Sequence, residues 1–357
     1  LRAVFAVTGG GASALSALLG EPGASRTVLN ARIPYSSAAL NAYLGASEGG
    51  AASERTARAL AMAAFQEARA LQEETGPAGA SDLAGIAATA ALATDRARRG
   101  DDRIHLAYQT AAETAVGTVT FDGGTRAEQE ERCKALVLQT TASAAGCGAQ
   151  DFLRRTAAQP AWRELICGER WHTAASEPRL LFPGSFNPIH AGHLQMADAA
   201  ERLTGLTATL EVSAFNVDKA PIDYVEFRRR EDQDRAGLGL TFTNAPTFVE
   251  KARIYPGATF IVGVDTITRI GEPRYYGGEA GRDAAIRELA ELGCRFLVFG
   301  RIAADRFQTL EDVTLLPALA HLCDGVSEDA FRADISSTEL RAAERDAERD
   351  KESEHGR

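Results

Sequence analysis

The amino-acid sequence predicts an α/β protein of two domains, the second a doubly wound, Rossmann-like parallel sheet. Three observations carry that reading. Strand-like apolar runs alternate with helical ones along the chain, the alternation restarts after an irregular stretch near the middle, and 357 residues exceed what one core ordinarily holds. A hydrophobic fraction of 45% with 25% charged residues is that of a globular protein.

In the first half, residues 2–8 form an apolar run that stops at Gly9, Gly10 and Gly11 and passes into the small-residue stretch 12–19, which reads as strand, tight turn and helix. A second such unit follows over 27–33 and 36–44, and 54–74 reads as a long Ala-rich helix charged on one side. Residues 83–88, 104–109 and 115–121 read as strands and 126–144 as the last helix, closing a first domain over 1–145. Gly146, Gly148, Pro160, Gly168 and Pro178 then punctuate short helical pieces, so 146–177 reads as a linker.

The second domain, 178–345, repeats the pattern: strand 179–182, helix 192–203, strand 207–215, helices 224–235 and 247–254, strand 259–264, helix 282–292 and strand 295–300. Such a sheet places its ligands beyond the carboxyl ends of its strands. From Glu339 onward Glu, Arg and Asp dominate, and a solvated, fraying helix with a charged tail over 346–357 is expected.

The formal charge of −10 argues against long nucleic acids, whose binding draws on clustered Lys and Arg, and leaves small phosphorylated ligands as partners. No apolar run approaches the roughly 18 residues that cross a bilayer. The five cysteines are scattered without a C-x-x-C pair, which favours the cytoplasm or another reducing compartment. The chain opens at Leu1, so upstream organelle targeting stays open, and a homo-oligomer is compatible with the sequence.

Directly after the first strand of the second domain stands Gly184-Ser185-Phe186-Asn187-Pro188-Ile189-His190-Ala191-Gly192-His193. In the first turn of a helix, His190 and His193 would share a face beside backbone N–H groups that favour anions. Gly184 lets the chain turn close to a ligand, and Gly192 leaves room between the imidazoles. Two histidines so spaced also suit a structural pair or half a metal site; with no third Cys or carboxylate nearby, no protein-held metal is assigned. Near the far end, Ile335-Ser336-Ser337-Thr338-Glu339-Leu340-Arg341 contains a capping box from Ser336 to Glu339. Ser337 and Thr338 add hydroxyls, and Arg341 returns one turn later with a fork suited to phosphate oxygens.

The first string resembles the signature of the nucleotidyltransferase superfamily that carries H-x-G-H, most closely the nicotinamide or nicotinate mononucleotide adenylyltransferases. The second is similar to that family's I-S-S-T-x-[IV]-R, with Leu340 at the Ile or Val position. The resemblance implies adenylyl transfer from ATP to a pyridine mononucleotide, with Mg²⁺ accompanying the ATP. It implies catalytic roles for His190, His193 and Arg341, and nucleotide binding by Gly184, Ser185, Phe186, Gly192, Ser336, Ser337 and Thr338.

Gly263 and Asp265, in Ile261-Val262-Gly263-Val264-Asp265-Thr266, are similar to the family's G-x-D, which faces the nucleotide; Asp265 alternatively caps the next helix. Asn216 and Lys219 fall where the family positions substrate, and Tyr275 and Tyr276 where bacterial members stack an aromatic on the pyridine. A solvated lysine and a core or rim tyrosine are the alternatives. Arg301 falls near a family arginine. Two other functions stay open: transfer to another phosphorylated acceptor, such as a pantetheine or sugar-related phosphate, and a catalytically weak nucleotide-binding sensor or scaffold.

In the first half, 8–25 followed by Pro34-Tyr35-Ser36 resembles the C-terminal domain of the CinA family, which includes nicotinamide mononucleotide amidases. The similarity covers about 2–144 and rests on the spacing from the Gly turn to Pro22-Gly23-Ala24-Ser25 and on Tyr35-Ser36. A gapless alignment puts Val7 where the family has an acid, Thr8 in place of the nucleophilic serine and Leu40 in place of a lysine. The family's T-G-I-A-G-P-G segment here reads Gly85-Ile86-Ala87-Ala88-Thr89-Ala90. The expectation is a CinA-like α/β domain without amidase activity, in which Gly9, Gly10 and Gly11 still offer N–H groups to a phosphate.

Overall fold

The computed structural model describes residues 1–45, 50–73, 82–95, 100–216, 219–303 and 306–331. It divides into two compact units, one of Leu1–Arg170 with Ala214–Arg228, the other of Trp171–Ser213 with Arg229–Arg357.

The first unit contains β1 (Arg2–Thr8), α1 (Ser13–Leu19), β2 (Val28–Arg32), α2 (Ser37–Leu44), α3 (Glu54–Glu73), β3 (Leu83–Ala91), β4 (Arg103–Thr110) and β5 (Glu113–Thr120). It continues with α4 (Arg126–Ala144), β6 (Arg154–Ala157) and α5 (Pro160–Ile166). The sheet order is β2-β1-β3-β4-β5-β6. β2, β1 and β3 run parallel, and the remaining pairs are antiparallel.

Both faces of this sheet are covered, which is why β1 reads as an unbroken apolar run rather than an alternating one. Phe5 and Val7 meet Cys133 and Val137 of α4 on one face, while Val4 and Ala6 meet Leu60, Ala61 and Ala64 of α3 on the other. α3 lies so close over β3 that a Cβ on Gly85 would stand 2.0 Å from the Ala61 carbonyl oxygen. The capping box that starts α4 is closed, the Thr125 N–H donating to Glu128 at 2.7 Å. The stretch expected to be irregular contains β6, which exists because β5 offers it an antiparallel edge.

The second unit contains β7 (Leu180–Pro183), α6 (Ala191–Thr204), β8 (Ala208–Ser213), the end of α7 (Tyr224–Glu231), β9 (Gly239–Thr243), α8 (Phe248–Ile254) and β10 (Thr259–Gly263). There follow α9 (Val264–Ile270), α10 (Glu279–Glu291), β11 (Arg295–Phe299), the hairpin β12 (Arg301–Ala303) and β13 (Arg306–Gln308), α11 (Pro317–Ala320) and β14 (Cys323–Gly325). The six-stranded sheet is parallel throughout, in the order β14-β11-β10-β7-β8-β9.

The chain thus builds outward from β7 to β8 and β9, then returns to lay β10, β11 and β14 on the other side. That reversal makes the carboxyl ends of β7 and β10 the switch point, where doubly wound sheets hold ligands. Leu181, Phe260, Val262, Phe296 and Val298 form the core beneath it with Ile267 and Leu289. One buried ion pair is built in: the Lys251 ammonium donates to Glu211 at 2.8 Å and to the Ala245 carbonyl at 2.7 Å.

α7 ends at Glu231, short of the expected 235, because the Arg235 guanidinium folds back onto the carbonyls of Arg230 and Glu231 and closes the last turn. Among the described residues no helix is long and apolar enough to cross a membrane.

Candidate active site

β7 hands the chain to α6 through the loop 184–190. The Gly184 N–H donates to the Glu211 carbonyl at 2.9 Å, carrying the ladder one step past the strand. A Cβ on Gly184 would lie 2.6 Å from the Phe186 ring, so the glycine is required by the aromatic two residues on. Phe186 itself has φ +43°, a left-handed conformation that strains a side chain by roughly 1–2 kcal/mol. The turn drives its ring into the core, edge-on to Phe182 at 5.3 Å and to His193 at 5.0 Å.

Two side chains beyond α6 hold the strained loop. The Arg230 Nε donates to the Ser185 carbonyl at 2.9 Å, and the Gln233 amide donates to the Phe186 carbonyl at 2.9 Å while accepting from the Ile189 N–H at 2.6 Å. Such over-determination is what a sparsely populated backbone conformation requires. Sequence reading missed both residues. They sit in a charged run, Arg230-Glu231-Asp232-Gln233-Asp234, that carries no local mark of what it grips.

His190 is the N-cap of α6 in extended conformation and His193 stands at the third helical position. The His190 N–H donates to His193 Nδ1 at 3.2 Å, and the two rings stack with centroids 3.6 Å apart at 26°. With Nδ1 an acceptor, neutral His193 carries its proton on Nε2, the outer ring nitrogen. Gly192 is buried between the two positions. The arrangement is a pair of imidazoles, one fixed in tautomer, at the positive end of a 14-residue helix.

At the end of β10, Gly263 has an ordinary φ of −87°, and among the described residues no atom lies within 4 Å of where a Cβ would stand, so none of them demands glycine there. Asp265 lies in the first turn of α9 without capping it; the N-cap is Gly263, and the Asp265 carboxylate pairs with Arg301. β10 pairs with β7 through Thr259↔Leu180 and Phe260↔Leu181, which brings Gly263 and Asp265 to the same sheet edge as the histidine loop.

Tyr275 ends a short 3-10 turn, its hydroxyl accepting from Arg269 at 3.0 Å and from Arg274 at 2.5 Å. Burial pushes the neighbouring Tyr276 hydroxyl up to about 12. Asn216 and Lys219 fall in the segment Ala214–Arg228, which is counted with the first unit. Ser336, Ser337, Thr338 and Arg341 lie outside the described residues.

The first unit has a cavity of about 460 Å³ at its own glycine turn, lined by Thr8, Gly9, Gly10, Ile33, Tyr35 and Arg126. The Thr8 hydroxyl donates to the Pro34 carbonyl at 3.0 Å. Here the expectation of three N–H groups open to phosphate needs correction. The Glu130 carboxylate already accepts from the Gly11 N–H at 2.8 Å, the Ser13 N–H at 3.1 Å and the Ser13 hydroxyl at 2.9 Å. A helix N-terminus attracts any anion, and here the chain supplies its own.

Comparison with known proteins bears on both units. The cytidylyltransferase-like family model matches residues 181–343. A Gloeobacter violaceus protein named "Probable nicotinate-nucleotide adenylyltransferase" is 31% identical over 185 residues, spanning 45% of this chain and 81% of that protein. Solved CinA superfamily proteins from Escherichia coli and Enterobacter cloacae are each 18% identical, with TM-scores of 0.32 and 0.33. They cover 41% and 42% of this chain and 80% and 83% of their own. At those scores the reading of the first unit rests on its own residues.

Proposed function

The chain belongs to the cytidylyltransferase-like nucleotidyltransferases, the family of its Gloeobacter violaceus relative, and from that membership we propose that it transfers the adenylyl group of ATP to nicotinate or nicotinamide mononucleotide. The observation that carries the proposal is the stacked His190 and His193 pair at the start of α6, on the switch point of the sheet.

The chemistry asks little of the protein beyond positioning and charge. A phosphate monoester is already ionised at neutral pH, its second pKa being about 6, so the acceptor attacks the α-phosphorus without a general base. A P–O bond to the acceptor forms, the α–β bridging bond breaks, and pyrophosphate leaves. His193 donates its Nε2–H to a phosphate oxygen on which charge builds, His190 and the helix N-terminus add to the same field, and Arg341 supplies a bidentate fork. Ser336, Ser337 and Thr338 contribute hydroxyl donors.

Gly263, which no described residue demands, lets the nucleotide pass against the backbone, with Asp265 on its adenosine side. One of Tyr275 and Tyr276 serves the acceptor. The reaction itself implies Mg²⁺, which accompanies the triphosphate as part of the substrate.

The test is pyrophosphate release by the full chain from ATP with a panel of acceptors: both pyridine mononucleotides, phosphopantetheine and a sugar phosphate. Release with the pyridine mononucleotides alone is expected. Release with another acceptor would replace the substrate, and ATP binding without release would favour the sensor.

A second reading concerns the first unit and rests on its cavity. Exposed Tyr35 and Ile33 line the cavity with the Arg126 guanidinium and the Glu130 carboxylate and suit a flat, polar ligand, while Thr8 spends its hydroxyl on the Pro34 carbonyl. Binding without amidase chemistry is therefore proposed. The check is ammonia release from nicotinamide mononucleotide by the full chain; sustained release that vanishes in Thr8→Ala would make the protein bifunctional.

A further inference from the structure

Within the second unit, residues 231–238 form a tight turn ahead of β9, and Gln233 stands on it. The turn is closed by its own bonds. The Arg235 guanidinium donates to the carbonyls of Arg230 and Glu231, the Asp234 carboxylate accepts from the Ala236 N–H at 2.9 Å, and the Arg235 carbonyl accepts from the Leu238 N–H at 3.0 Å. β9 pairs with β8 and β8 with β7, so this turn and the loop 184–190 hang from one parallel sheet.

The Gln233 carboxamide spends both of its ends on that loop, accepting from the Ile189 N–H and donating to the Phe186 carbonyl. It fits in one orientation: turned over, it would set its NH2 against the Ile189 N–H and its oxygen against the Phe186 carbonyl. Holding these two groups pins the strained stretch 186–189 at both ends. Peptide planes are rigid, so the φ and ψ of Ile189 are the only soft angles left between this clamp and the His190 N–H. From the other side the His190 carbonyl is fixed by α6, accepting from the His193 N–H at 2.9 Å. The His190 N–H is thereby aimed at His193 Nδ1, and that bond decides which nitrogen of His193 carries the proton.

We propose that Gln233 is a positioning residue for the nucleotidyl transfer: through Ile189 and the His190 N–H it sets the tautomer of His193, keeping Nε2–H outward as the donor to phosphate. The inference rests on the function proposed above for the histidine pair.

The test uses the full chain carrying Gln233→Met, which keeps the length of the side chain and loses both bonds. Imidazole nitrogen NMR at about pH 8, where an ordinary histidine is neutral, is followed together with the kinetics of pyrophosphate release. Wild-type His193 should show the Nε2–H pattern. In the variant the Nδ1–H share is expected to rise and kcat to fall by about tenfold or more, with a smaller change in the KM for ATP. Gln233→Glu keeps an acceptor for the Ile189 N–H and loses the donor to Phe186, so it should move both readouts the same way by less, and it carries the test if Gln233→Met does not fold. A folded variant in which either the His193 tautomer or kcat is unaltered would overturn the proposal. A wild-type chain that releases no pyrophosphate would count against the proposed function instead. The tautomer readout needs no substrate and would still decide whether Gln233 governs the pair.

Discussion

At the scale of single residues, His193 has two separable duties, and two substitutions tell them apart. His193→Ala removes both the acceptor for the His190 N–H and the outer Nε2–H donor. Turnover is expected to fall by more than about tenfold, with a melting temperature lower by only about 2–4 °C, the shift that about 1 kcal/mol of lost capping produces. His193→Asn keeps an oxygen for the cap and should recover the melting temperature but not the turnover; recovery of both would make His193 a capping residue only. His105 makes a different kind of prediction. It is buried, with Nδ1 2.8 Å from the Thr118 hydroxyl and Nε2 3.3 Å from Arg103 Nε. Burial first, then the Arg103 charge, hold its pKa below the ordinary 6.5. A depressed folded value means that the unfolded chain takes up the proton first as pH falls. The stability His105 contributes is full above 6.5 and is lost as pH drops toward the folded value. Wild-type melting temperature is expected to decline below pH 6.5 more steeply than that of His105→Gln; parallel curves would show that His105 is not held neutral.

At the scale of elements, β1 and α4 coincide with the runs 2–8 and 126–144 read from the sequence, because each carries its own period and its own stop. β6, β9, β14 and α9 escaped that reading for reasons of context. The three strands are short and take their form from a partner's edge, and α9 leaves β10 with no turn between them, capped only by Gly263. Likewise nothing local in Gly85-Ile86-Ala87-Ala88 announces how closely α3 lies over β3. The space makes a sharp prediction. A methyl at Gly85 would meet Ala61 oxygen at 2.0 Å and Phe65 nitrogen at 2.3 Å, both backbone atoms that cannot rotate away. Gly85→Ala should therefore destabilise by about 1–3 kcal/mol or more, as overpacking does, measured by denaturant midpoint at unchanged m-value. A neutral effect would mean that α3 shifts freely on the sheet.

At the scale of the whole molecule, the chain is divided differently in sequence and in space. The first unit draws part of its core, Tyr224 and Phe227, from the segment 214–228. A protease site inserted between Arg170 and Trp171 is therefore expected to yield two pieces that elute together in native size-exclusion chromatography and separate only in denaturant. Two native peaks would mean that the segment is not part of the first unit's core. The sequence by itself determined the α/β grammar, the restart near its middle and the chemistry proposed for the string from Gly184 to His193. All of these are written in neighbouring residues, through strand and helix periods, a strand-to-helix turn and two histidines on one helical face. Only the tertiary structure decided that Glu130, 119 residues from Gly11, fills the start of α1, that Arg230 and Gln233 clamp the Phe186 turn, and that Arg58 reaches Asp223 across 165 residues. Such pairs have no period and no spacing rule. They form because packing the sheets brings distant charges into low dielectric, where each must find a partner, and which partner it finds depends on the whole fold.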